Sequence, residues 1–321
     1  MIKGHGDDAY RYPGIRSDFS SNICATTSHQ ALMAHLASCP QLLSHYPEPE
    51  AWSLEALLAE LHGIEPCNVI VTSGATEAIY LIAQTFRYKS VIPTPTFSEY
   101  EDACSCFEQK EDKTMLWLCN PNNPDGRVYN RFYVHDMMSK YDLVVLDHSY
   151  EYYTNGQLMM TRWECYEPRS IVIHSFTKTY AVPGLRLGYI TAHESLTGQM
   201  RQFLRPWSVS ALAIEAGKFL SEHPDLICRP DLAEAQRLRQ QLLDIGIDVM
   251  PTQTNFMLCR MEAHDAGALK EYLARHHGML IRDASNFCGL TCRHFRVAAQ
   301  SQEENDALVA AIRSFIESRN E

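Results

Sequence analysis

Between Val69 and Ile173 the chain repeats one pattern: a short, nearly continuous apolar run, a polar turn, then a segment with helical spacing. The runs are Val69-Ile70-Val71-Thr72, Ser90-Val91-Ile92-Pro93, Met115-Leu116-Trp117-Leu118-Cys119, Asp142-Leu143-Val144-Val145-Leu146-Asp147 and Ile171-Val172-Ile173. A strand with one face in water alternates apolar and polar residues, whereas these runs must be buried on both faces. An α/β domain with a mostly parallel sheet between two helix layers meets that requirement. Ligands of such sheets sit beyond the carboxyl ends of the strands. Here those ends carry Gly74-Ala75-Thr76, the turn Asn120-Pro121-Asn122-Asn123-Pro124-Asp125-Gly126, Asp147-His148-Ser149-Tyr150, and Ser175-Phe176-Thr177-Lys178.

The flanking segments organise around that domain. A polar arm, Gly4 to Ser21, precedes expected helices at 28–37 and 53–62, and between these lies His45-Tyr46-Pro47-Glu48-Pro49, where two prolines force an extended turn that aims Tyr46. After Pro206-Trp207-Ser208-Val209-Ser210, helices are expected at 211–221, 230–243, 266–276 and 302–317, with strands at 247–250, 255–259 and 294–298. The division expected is an N-terminal arm with part of a small domain (1–45), a large ligand-binding domain (46–210) and a C-terminal small α+β domain (211–321).

The net charge of -11 disfavours nucleic acid and anionic membranes as general partners, while leaving room for a local basic pocket that takes a small anion. Met1 to Asp8 lacks the apolar run of a secretory signal, so a cytoplasmic protein is expected. Eleven cysteines, an odd number scattered along the chain, argue for reduced thiols, and the close pairs Cys104/Cys106 and Cys288/Cys292 lack zinc-site spacing; no metal is expected.

The chemistry gathers around Lys178. It follows an apolar strand, with Ser175 three residues before it and Arg186 eight after. An amine so placed can form a Schiff base with an aldehyde, and the Ser175 hydroxyl and Arg186 guanidinium can hold a phosphate; together they suit pyridoxal 5'-phosphate. Gly74-Ala75-Thr76, at a strand-to-helix junction, can cradle the same phosphate, although a plain capping turn accounts equally well for the tripeptide alone. Asp147 can pair with the protonated pyridine nitrogen, Tyr150 and Asn123 can bond the ring's 3-hydroxyl oxygen, and Tyr100 can stack on the ring.

Gly-Ala-Thr, Asn-Pro, Asp-x-x-Tyr and Ser-x-x-Lys-x7-Arg, in this order over nearly the whole chain, resemble the fold-type I pyridoxal-phosphate enzymes. Within these the chain is similar to the class I/II aminotransferase group that holds threonine-phosphate decarboxylase and histidinol-phosphate aminotransferase. The resemblance implies a large domain with a seven-stranded type of sheet, a smaller α+β domain, and a homodimer with shared active sites, in which Tyr46 reaches the neighbour's cofactor phosphate. It also implies that Arg282 and Arg296 hold an anionic, phosphorylated amino acid, with His5, Asn22 and Asn123 nearby. His5-Gly6, Asp18-Phe19-Ser20-Ser21-Asn22-Ile23, Pro206-Trp207-Ser208-Val209 and Ile281-Arg282-Asp283-Ala284-Ser285-Asn286-Phe287 look more like the decarboxylase. The implied reaction is decarboxylation of L-threonine O-3-phosphate to 1-aminopropan-2-ol phosphate, used in cobalamin assembly. The alternative is transamination of histidinol phosphate or a related amino acid with 2-oxoglutarate.

Both reactions use the same residues, because the substrate bond held perpendicular to the pyridine ring is the one that breaks. A carboxylate in that position leaves as carbon dioxide; a Cα proton there is removed by Lys178. The chain also departs from the family's usual residues at His148, Asp125 and Ser210, and His148 either perturbs the Asp147 carboxylate or packs behind it. A non-catalytic binding protein on the same scaffold is the reading from another class, opposed by the joint presence of Lys178, Asp147 and Arg186.

Overall fold

The computed structural model describes residues 8–24 and 28–318. A first short strand, β1 (Ser17–Asp18), belongs to the small domain. The next six, β2 (Val69–Thr72), β3 (Tyr88–Val91), β4 (Lys110–Cys119), β5 (Leu143–Asp147), β6 (Ser170–Ser175) and β7 (Gly188–Ala192), build one sheet in the order β2-β7-β6-β5-β4-β3. Strands β3 to β6 pair in parallel, while β7 runs antiparallel to both β2 and β6. The sheet is therefore mixed, and among the described residues it has six strands rather than the seven expected. The sequence reading missed β7, since Gly188-Tyr189-Ile190-Thr191-Ala192 opens on glycine directly after the Lys178 motif; all five residues are buried.

The period of two explains the two covered faces. Ile70, Met115, Trp117, Val145, Ile171 and Ile173 pack with Ile79, Ile82 and Phe86 of helix Ala75–Phe86. On the opposite face Val69 and Val71 meet Leu54 and Leu58 of helix Trp52–His62, and Leu116, Leu118, Val144, Leu146 and Val172 meet Val134 and Met138 of helix Arg131–Lys140. Helix Ala211–Ser221 joins this large-domain core through Ala213, Ile214, Ala216 and Leu220, so the change of core falls after it and not at residue 210.

The small domain carries β8 (Asp248–Val249), β9 (Phe256–Arg260), β10 (Met279–Leu280), β11 (Arg282–Asp283) and β12 (His294–Ala298). An antiparallel sheet runs β11-β12-β9-β8, and β10 pairs separately with β1 of the N-terminal arm. Met257, Cys259, Phe295 and Val297 face the helices Leu232–Asp244, Ala266–Tyr272 and Gln302–Glu317. Phe256, Leu258, Arg296 and Ala298 alternate with them and so take the other face, where Phe256 and Ala298 pack on Tyr150 and Tyr153 of the large domain. Phe19 is fully buried in the small-domain core, and its carbonyl accepts the Ala298 N–H at 2.9 Å. Ser20 to Ile23 consequently emerge between the two domains. None of the eleven cysteines forms a disulfide, and among the described residues no helix is long and apolar enough to cross a membrane.

Gly188 is where β7, β6 and the turn after β2 come closest. A Cβ there would lie 2.8 Å from the His174 carbonyl oxygen and 3.0 Å from the Ala75 nitrogen, both backbone atoms. Gly188→Ala should destabilise the protein by about 1–3 kcal/mol, checked by denaturant unfolding; a midpoint equal to the parent's would contradict this close approach.

Candidate active site

A cavity of about 330 Å3 opens at the carboxyl ends of the large-sheet strands and is closed by the small sheet and by Ser20 to Ile23 of the arm. Lys178 enters it because β6 ends at Ser175 and passes directly into the one-turn helix Phe176–Thr179. The Tyr153 hydroxyl donates to the Lys178 carbonyl at 3.0 Å, which fixes that turn, and the half-buried ammonium lies 5.8 Å from the centre of the Tyr150 ring.

Gly74, Ala75, Thr76, Ser175 and Arg186 converge at one end. Gly74 has φ +87° and precedes helix Ala75–Phe86, so the first amides of that helix are presented with no side chain in the way. A Cβ on Gly74 would stand 2.8 Å from Arg186 Nη2. Arg186 itself adopts φ +54°, and its Nη1 donates to the Pro183 carbonyl at 3.2 Å, while Nη2 has no partner among the described residues. Helix amides, two hydroxyls and a guanidinium form an anion site of the kind a phosphate requires.

Asp147 lines the same cavity, at the tip of β5 and 3% exposed. Its Oδ2 accepts from the Tyr100 hydroxyl at 2.7 Å and its Oδ1 from the Ser149 N–H at 2.8 Å. Burial raises its pKa, while these donors and the Lys178 charge act the other way. Beside it the Tyr150 hydroxyl, its pKa pushed up to about 12 by burial, accepts from Asn22 Nδ2 at 3.1 Å. Asn123 Oδ1 accepts from Arg296 Nη1 at 2.6 Å, and Arg296 Nη2 donates to the Ser20 carbonyl at 2.5 Å.

Arg282 and Arg296 are direct cross-strand partners on β11 and β12 and are 6% and 5% exposed. Arg282 donates to Asn286 Oδ1 at 2.7 Å and to the Asp283 carbonyl, and its guanidinium lies over the Phe287 ring. Burial, and then the charge of Arg296, bring its pKa down to about 10; burial lowers that of Arg296 too. Two polar atoms next to the cavity, Arg296 Nε and Asn22 Oδ1, are buried without a partner among the described residues.

One expected residue is placed otherwise. Tyr100 is fully buried, stacked on Trp117 with ring centres 5.3 Å apart, and bonded to Asp147 from behind, so it cannot lie on a ligand ring. Phe97, three residues earlier in Pro95-Thr96-Phe97-Ser98-Glu99-Tyr100, lines the cavity instead. Two aromatics lie in that segment and spacing alone does not choose between them. Tyr46 is 85% exposed, tilted against Trp207 with ring centres 5.4 Å apart, outside the cavity of its own chain. His5 lies outside the described residues. Ser20, Ser21, Cys119 and Thr177 also line the cavity, although none of them is among the site residues expected from the sequence.

The aminotransferase class I and II family matches residues 17–108 and 106–312. The chain belongs to this family. It is an enzyme of a pyridoxal-phosphate-dependent family with decarboxylase and aminotransferase members, and pyridoxal 5'-phosphate is its cofactor. It is similar to threonine-phosphate decarboxylase of Salmonella typhimurium, with 27% identity over 93% of this chain and 91% of that protein. The crystal structure of L-threonine-O-3-phosphate decarboxylase from Porphyromonas gingivalis superposes with a TM-score of 0.88 at 34% identity, covering 94% of this chain and all of the other. Histidinol-phosphate aminotransferase from Sinorhizobium meliloti, solved with pyridoxal 5'-phosphate, shares the fold at a TM-score of 0.82 and 18% identity, covering 99% and 96% of the two chains. The residues present fit the cofactor: the Gly74 cradle that a Cβ would fill, the Arg186 Nη2 left without a partner among the described residues, and a buried carboxylate, Asp147, in the same cavity.

His148, next to Asp147, is 2% exposed and meets the His174 ring edge-on at 6.2 Å, so it packs behind the site.

Two outcomes follow from these contacts. Tyr100→Phe leaves the Asp147 carboxylate one donor short, and should weaken cofactor binding by about ten- to a hundredfold in spectrophotometric titration; unchanged affinity would refute the role. Burial holds His62 and His148 at pKa values of about 4 and His174 at about 3, below the ordinary 6.5, so unfolding takes up protons there and stability falls as pH drops from 6.5 toward 4. Glu151, raised by burial, acts oppositely. His148→Gln should flatten the dependence of unfolding free energy on pH by up to about 1.4 kcal/mol per unit, read from denaturant midpoints at successive pH values.

Proposed function

We propose that this enzyme decarboxylates a phosphorylated amino acid, L-threonine O-3-phosphate being the substrate that fits best, to give 1-aminopropan-2-ol phosphate. The observation that carries the reading is the Arg282–Arg296 pair: two buried cations side by side, bonded only to neutral oxygens among the described residues, call for a ligand with two anionic groups. The Salmonella and Porphyromonas relatives, named for the phosphothreonine reaction, support it.

Pyridoxal phosphate, when bound, supplies a cationic conjugated ring that draws electrons from the substrate carbon joined to it. Lys178 would hold the cofactor, with Gly74, Ala75, Thr76, Ser175 and Arg186 on its phosphate. Asp147, steadied by Tyr100 and Ser149, would keep the ring nitrogen protonated, Tyr150 and Asn123 would bond its 3-oxygen, and Phe97 would cover one ring face. Arg296, tied to Asn123, would take the substrate carboxylate and fix its direction relative to the ring, leaving the phosphate to Arg282 and placing Asn22 beside both. Lys178, released by the substrate amine, is the group within reach to return a proton to the carbon. Tyr46, exposed on its own chain, would reach the cofactor phosphate of a second copy in a homodimer.

Incubation of the cofactor-loaded enzyme with L-threonine O-3-phosphate should release carbon dioxide and 1-aminopropan-2-ol phosphate without 2-oxoglutarate. Keto-acid formation that depends on 2-oxoglutarate, with histidinol phosphate or a related amino acid, would overturn the reading in favour of transamination. Lys178→Ala should lower turnover by about a thousandfold or more, and parental activity in that variant would remove Lys178 from its role.

A further inference from the structure

A second cavity, of about 250 Å3, shares two chain segments with the active site but none of its lining residues. Glu151 and Tyr152 reach it from the segment after Asp147, and Phe176 and Tyr180 from the segment around Lys178; helix Trp52–His62 and Ser221 complete the wall.

Its chemistry is unusual for an interior space. Glu151 puts a carboxylate there whose Oε1 meets His174 Nδ1 at 3.2 Å, and whose other oxygen has no hydrogen bond among the described residues. The nearby imidazoles do not neutralise it. His174 also bonds the Thr191 hydroxyl at 3.0 Å, His62 bonds the Tyr189 hydroxyl at 2.8 Å, and burial keeps both rings in the uncharged form. Among the described residues no lysine or arginine lines the cavity. The Ser221 hydroxyl, on a residue 5% exposed, is buried without a partner among the described residues. Phe176, Tyr152, Tyr180 and Tyr189 supply aromatic surface, and Leu58, Leu61 and Ile227 the apolar remainder.

A carboxylate left only 18% exposed, with no cation against it among the described residues, is costly, and aromatic faces attract cations most strongly where water is scarce. We propose that this cavity binds a small alkylammonium ion, its charge set between the Glu151 carboxylate and the tyrosine rings, with Ser221 available to a hydroxyl on the ligand. The position just behind Asp147 and Lys178 would make such a ligand a neighbour of the cofactor site without touching it.

The test uses the cofactor-loaded enzyme, with choline as the cationic probe and 3,3-dimethylbutan-1-ol as its uncharged counterpart, both followed by titration calorimetry. Choline should bind with saturation and leave the cofactor's visible spectrum unchanged, and the neutral alcohol should bind about tenfold or more weakly. Glu151→Gln keeps the size of the side chain and should weaken choline by about tenfold or more. Leu61→Trp, at an exposed position on the cavity wall, should block it without touching the carboxylate, and carries the test if Glu151→Gln does not fold. No choline binding to the parent enzyme, equal binding of the alcohol, or undiminished binding by whichever variant folds would each overturn the proposal.

Discussion

Arg282 and Arg296 face each other across β11 and β12, buried, and every oxygen they bond among the described residues is neutral: two backbone carbonyls and two asparagine side chains. Like charges directly opposite on a sheet repel, and burial strengthens the repulsion. Much of the surrounding structure serves to hold this arrangement. The arm must return from its pairing with β10 so that Ser20 can accept from Arg296, and the turn after β4 must bring Asn123 to the same guanidinium. The small sheet turns this face toward the large domain because its other face is committed to the helices. A net charge of -11 on the chain as a whole makes the local concentration of positive charge all the more specific to a ligand.

The same cavity also holds a buried carboxylate. Asp147 is held by a phenol and a backbone amide, and a cationic N–H placed against it would satisfy the charge that burial otherwise disfavours. Anion sites at Ala75, Thr76 and Arg186 and at the arginine pair line the same cavity as this carboxylate and the Lys178 amine.

Much of this was legible in the sequence, because the features concerned are local or nearly so. Continuous apolar runs report burial on both faces, and strand-end residues are fixed by where each run stops, which located Asp147, Asn123 and Lys178 together. Contacts between remote segments left weaker traces. Tyr100 and Phe97 are both aromatic and three residues apart, and only the stacking of Tyr100 on Trp117 decides which one faces the cavity. Strand β7 was hidden by its glycine start, and helix Ala211–Ser221 packs into the large domain although the chain order suggests the small one. The pairing of Arg282 with Arg296 across fourteen residues is a matter of register, visible in the antiparallel ladder and not in either residue's neighbours.

The account stands on the claim that the two buried guanidiniums are matched by two anions on one ligand. Calorimetric titration of the cofactor-loaded Lys178→Ala enzyme, which should bind without turning over, with L-threonine O-3-phosphate and with L-threonine measures this directly. The phosphate should raise affinity by about tenfold or more, and Arg282→Gln placed in the same background should abolish that difference. Equal affinity for the two amino acids, or a preference that survives the loss of Arg282, would contradict it.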